Sequence, residues 1–92
     1  RIRTVAGGSF GRHLFCDFAL PGKKKTGQVL VLGHSDTVWA CGTLRSMPFR
    51  SARGRLWGPG ALDMKAGIAF LLFAVKALRD LDTPVDFEQL QP

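Results

Sequence analysis

The chain has 92 residues, 46% of them hydrophobic and 22% charged, and carries a formal net charge of +6 at pH 7. So short a chain buries only about 60–65% of its unfolded surface, which excludes a large independent core, and the balanced composition excludes an extended disordered tail. The positive charge attracts anions in general, but its carriers are scattered, and no interleaved basic and aromatic pattern points to nucleic acid.

Arg1 stands where an initiator Met would, with no leader-like apolar run behind it, so the N-terminus reads as the middle of a longer chain. Residues 1 to 6 have the makings of a strand closed by Gly7-Gly8. The next segment, HLFCDFAL at 13 to 20, alternates Leu14, Cys16, Phe18 and Leu20 against Phe15, Asp17 and Ala19, which predicts a strand ended by Pro21-Gly22. Lys23, Lys24 and Lys25 follow as a solvated connection. QVLVLG at 28 to 33 is a short, continuous, β-branched-rich run of the kind covered on both faces, and predicts a central strand.

From Thr37 to Leu62 the chain carries Gly42, Pro48, Gly54, Gly58, Pro59 and Gly60 without periodicity, predicting a long loop with one short strand near Arg55 to Trp57. After Gly58-Pro59-Gly60 the period changes. Asp63 precedes MKAGIAFLLFAVKALRDL, in which Ile68, Leu71, Leu72, Val75 and Leu78 recur at spacings of three and four, so a helix is expected that stops before Pro84. Its middle is apolar nearly all round and demands cover on most sides. The apolar stretch at 66 to 75 falls well below the roughly 20 residues of a membrane span. VDFEQLQP at 85 to 92 has no clear pattern. Cys16 and Cys41 form no CxxC pair and read as buried free thiols in a reducing compartment, a weak pointer toward a cytoplasmic setting.

His34 and Asp36 follow the apolar run two positions apart. If extended geometry continues, both side chains leave one face just past the strand's end, where open α/β sheets bind ligands. A neutral imidazole ligates zinc well, and a carboxylate behind it fixes its tautomer. The same residues also suit a plain Asx-type turn. Asp63 lies at the expected helix start, where a carboxylate serves equally as an N-cap or, after the flexible Gly58-Pro59-Gly60, as a bridge between two divalent ions. Arg45, Arg50, Arg53 and Arg55 lie between these motifs, either as a solvated loop or as a preference for acidic substrates. Trp39 and Trp57 either line a pocket mouth or pack beneath the loop.

Taken in order, GHSDTV, GTL, PF and GRLWGPGALDMKAG followed by the apolar helix resemble the zinc-dependent aminoacylase and glutamate carboxypeptidase family of co-catalytic metallopeptidases, over about Val29 to Leu81. The GPG, GTL and PF elements look most like the glutamate carboxypeptidase branch, and acetylornithine deacetylase is also similar. The resemblance implies an α/β fold, part of a three-layer α/β/α catalytic domain in which a mixed sheet is flanked by helices, with residues 1–92 forming an incomplete part of it. It further implies that His34 binds one of two zinc ions, that Asp36 is the catalytic residue orienting His34, that Asp63 bridges the zincs, and that the Asp63–Met64 peptide is cis.

The implied reaction cleaves a peptide or N-acyl amino acid amide bond, with no nucleic acid or membrane partner and with dimerisation through a second domain absent here. Two departures stand out. Ala66 replaces the usual glycine after DMK, a helix-favouring change. A Glu-Glu pair, a further carboxylate and a distant histidine are missing, since Glu88 and His13 lie in other contexts. The chain alone is therefore expected to be inactive. The alternatives are a basic binding module or a non-enzymatic interaction protein that keeps the family fold.

Overall fold

The computed structural model describes residues 1–22, 27–82 and 84; the lysine run at 23 to 25 and the patternless segment at 85 to 92 lie outside them. Strand β1 (Ile2–Ala6) pairs antiparallel with β2 (Arg12–Cys16), in register from Ile2 opposite Cys16 to Ala6 opposite Arg12. A tight turn at Gly8–Phe10 joins them. The cross-strand pair Arg3 and Phe15 stacks, with the guanidinium carbon 4.5 Å from the ring centre. The first expected strand is thus present, and the second ends at Cys16 instead of Leu20. Arg1 and Asp17 close the ladder through two backbone hydrogen bonds of 2.8 and 3.0 Å, so Phe18 to Leu20 have no opposing residues.

Residues 28 to 33, expected as a central strand, form no ladder among the described residues. That expectation is corrected for a physical reason: a strand exists only through hydrogen bonds to a neighbour, and neither small sheet pairs with this segment. The segment instead runs over the start of the helix, where a Cβ added to Gly33 would lie 3.4 Å from Met64 Cε and 3.6 Å from Ile68 Cγ1.

The loop after Thr37 contains the expected strand, β4 (Arg55–Trp57), and a partner that the sequence does not announce, β3 (Arg50–Ala52). Both turn residues between them have positive φ, 52° at Arg53 and 70° at Gly54, as two-residue hairpin turns of the favoured hand require. Arg50 stacks 4.4 Å over its cross-strand partner Trp57.

Helix α1 spans Ala66–Asp80 and ends well before Pro84. The described residues therefore form a small mixed α/β unit of two two-stranded antiparallel sheets and one α-helix. One side of the apolar helix is uncovered, whereas Ile68, Leu71, Val75 and Leu78 are partly covered. Phe70 is 75% and Phe73 69% exposed, and no hydrophobic side chain is fully buried among the described residues. The radius of gyration, 16.9 Å, exceeds the roughly 12 Å of a compact chain of this length. The two cysteines are free but not buried: Cys16 is partly exposed and Cys41 is exposed, because no core forms around them. No helix among the described residues is long and apolar enough to cross a membrane.

Candidate functional site

His34 leaves the end of the extended segment whose Gly33 rests on Met64 and Ile68. Asp36, two residues later, projects to the same side, as extended geometry dictates. Its Oδ1 lies 3.2 Å from His34 Nδ1, and its backbone carbonyl accepts from the same nitrogen at 3.1 Å. With two acceptors on Nδ1, the proton of a neutral ring belongs there, which leaves the Nε2 lone pair free.

Nε2 faces the other carboxylate. Asp63 Oδ1 lies 3.2 Å away. The chain reaches this position through Gly58-Pro59-Gly60 and a widened turn, Ala61–Lys65, in which Lys65 N–H donates to the Gly60 carbonyl at 3.1 Å. Asp63 and Met64 leave helical dihedrals inside that turn (φ −113° and ψ 97° at Asp63), and the peptide between them is cis, as the resemblance implied. Asp63 therefore does not cap the helix. Lys65 occupies the cap position of α1 and no side chain caps it; the carboxylate is turned toward His34 instead.

The imidazole pKa lies above its ordinary value. The Asp36 carbonyl accepting from Nδ1 is the chief cause; partial desolvation opposes it, and the charges of Asp63 and then Asp36 reinforce it. The site is open, with His34 about half exposed and Asp63 74% exposed at the side chain. Among the described residues no group of three or more His, Cys, Asp or Glu is placed to hold a metal ion, so His34 and Asp63 are two facing donors with Asp36 behind them.

Two contacts were not legible in the residue pattern. His34 N–H donates to Met64 Sδ at 3.4 Å, and Lys65 Nζ donates to the Ser35 carbonyl at 2.7 Å. Their signal was adjacency alone, since both residues directly follow Asp63. Gly60 makes this approach feasible: at φ 72°, a Cβ on it would meet the Thr37 methyl and stand 2.8 Å from Lys65 Nζ. Beside the site, an apolar cleft of about 510 Å³ lies between the loop from Thr37 to Leu44, the hairpin and the first turn of α1. Trp39 lines it, whereas Trp57 stacks with Arg50, and none of His34, Asp36 or Asp63 lines it.

The model of Peptidase family M20/M25/M40 matches residues 30–88, more than half the chain and the whole of this site. The chain belongs to that family. Carboxypeptidase G2 of Pseudomonas sp. (strain RS-16) is 38% identical over 52 residues, which is 56% of this chain and 12% of that protein. Acetylornithine deacetylase of Proteus mirabilis (strain HI4320) is 43% identical over 61 residues, 63% of this chain and 15% of that protein. The peptidase-family chain thus spans about an eighth to a seventh of the length of these relatives. No solved structure matches it significantly.

Proposed function

We propose that this chain is the N-terminal part of the catalytic domain, a three-layer α/β/α fold, of a zinc metallohydrolase that cleaves a peptide or N-acyl amino acid amide bond in the manner of a carboxypeptidase. The family match supports the hydrolase class, and the two relatives, a carboxypeptidase and a deacetylase, support amide cleavage.

The observation that carries the metal reading is the 3.2 Å between His34 Nε2 and Asp63 Oδ1. Two ligands of one zinc ion, at roughly 2.0 Å for nitrogen and 2.1 Å for oxygen, define a tetrahedral edge of about 3.4 Å. The donor pair fits one ion with almost no movement. His34 would hold it through Nε2 and Asp63 through its carboxylate, which by the family resemblance would be shared with a second ion, and zinc when bound would supply Lewis-acid polarisation and an acidified water. Asp36 keeps the Nδ1 proton in place, so Nε2 stays a ligand and the ring cannot swing. Two donors are fewer than the four a zinc site normally uses, and no group of three or more His, Cys, Asp or Glu gathers around them among the described residues. Residues 1–92 alone therefore bind zinc weakly and do not hydrolyse amides.

Calorimetric titration with Zn²⁺ tests the reading. Weak binding lost in both His34→Ala and Asp63→Asn is the expected result; binding indifferent to both substitutions overturns it. Zinc-dependent turnover of an N-acyl amino acid by the purified chain, abolished by His34→Ala, would overturn the inactivity.

A further inference from the structure

We propose that Lys65 is a positioning residue for the His34 site, fixing the Ser35–Asp36 peptide from the base of α1. This inference rests on the metal reading above. Three successive residues of the widened turn grip two successive residues of the loop. Asp63 meets the imidazole, Met64 Sδ accepts the His34 N–H, and Lys65 Nζ donates to the Ser35 carbonyl.

The lysine contact differs in kind from its neighbours. At 2.7 Å it is a charge-assisted hydrogen bond to a neutral carbonyl, and among the described residues Lys65 makes no ion pair, while Lys76 on the same helix pairs with Asp80. Lys65 is exposed, and it is the geometry of this contact that ties it to the loop. Here the ammonium sits in a space kept open by Gly60, where a Cβ would stand 2.8 Å from Nζ.

The held group matters because of what flanks it. The Ser35 carbonyl belongs to the Ser35–Asp36 peptide unit, and the orientation of that unit sets how the Asp36 carbonyl and carboxylate meet His34 Nδ1 at 3.1 and 3.2 Å. Lys65 is itself anchored, since its N–H is bonded to Gly60 and α1 begins at the next residue. The helix start thus acts as a fixed post, and the lysine as the strut from it to the ligand loop. Lys65 touches neither the ring nor either carboxylate in any described contact, so it acts through Ser35.

The test uses the full chain with Co²⁺ as the probe, and the metal-free chain for a second readout. Lys65→Met is expected to weaken Co²⁺ binding at least about tenfold, as loss of supporting contacts around metal ligands does. It should also change the visible absorption of bound Co²⁺ and move the ¹³C shift of the Ser35 carbonyl, with helicity retained. Lys65→Arg, which keeps a charged donor, should restore most of each; Lys76→Met should change none. If Lys65→Met loses helicity, Lys65→Gln, a neutral donor, takes its place. Unchanged Co²⁺ affinity and spectrum in Lys65→Met, where His34→Ala abolishes binding, overturns the proposal. If His34→Ala leaves Co²⁺ binding intact, the metal reading fails, and the Ser35 carbonyl decides on Lys65: a shift unmoved by Lys65→Met overturns its positioning role.

Discussion

Asp63 Oδ1 stands 3.2 Å from His34 Nε2 across a contact that closes between the end of an extended segment and the turn before α1. The carboxylate is there because the chain leaves helical geometry at Asp63 and Met64, so that Asp63 does not cap the helix it precedes.

Asp36 meets His34 Nδ1 through both its carboxylate and its backbone carbonyl. Asp36→Asn keeps the shape and loses the charge, so zinc affinity should fall by about 10- to 100-fold, the usual effect of removing a partner behind a ligating histidine. Helicity by circular dichroism should stay the same. An unchanged calorimetric affinity would contradict the orienting role.

The raised pKa of His34 has two consequences of defined sign. Its folded-state pKa lies above the unfolded one, near 6.5, so the ion-pair contribution to stability is fully present below about 6.5 and is lost as pH rises through the raised value. Zinc needs the neutral ring, so metal affinity should fall as pH drops through that same raised value. An NMR titration of the imidazole ¹H and ¹³C signals should place its midpoint above the ordinary histidine value in the native chain. Asp63→Asn and Asp36→Asn should each lower it, while the Asp36 backbone carbonyl, which neither substitution removes, keeps part of the rise.

Gly60 at φ 72° is needed twice, once for its backbone and once for the space that Thr37 and Lys65 occupy. Gly60→Ala should cost about 1–3 kcal/mol through backbone strain alone and weaken zinc binding as the turn shifts. Amide hydrogen exchange in residues 61 to 66 reads the first effect, calorimetry the second. Wild-type exchange rates in the alanine variant would refute the packing argument.

The exposed helix face supplies a contrasting case. Replacing a core phenylalanine by alanine costs about 3–5 kcal/mol, but Phe70 and Phe73 are 75% and 69% exposed. Changing both to Gln should cost the isolated chain less than about 1 kcal/mol by the area left unburied, and should reduce its binding of a hydrophobic dye such as ANS. A loss of several kcal/mol in thermal or urea unfolding would show that these rings are covered in solution.

Much of this was legible in the chain itself, because local periodicity and turn chemistry act over a few residues. The three- and four-residue spacing from Ile68 to Leu78 specifies α1, the alternation from Leu14 marks β2, and the i, i+2 spacing of His34 and Asp36 puts both on one side. Other features depend on partners distant in sequence. QVLVLG has the composition of a central strand, yet composition cannot supply the edge it must pair with, and the segment forms no ladder among the described residues. Arg50–Ala52 carries no strand signal and becomes β3 because the Arg53-Gly54 turn folds it onto β4. His34 and Asp63 were each compatible with a turn and a cap. Only the turn from Gly60 to Lys65, packed against Gly33, Ser35 and Thr37, decides that they face one another, since the meeting of two side chains so far apart in the chain is set by the path of the backbone between them.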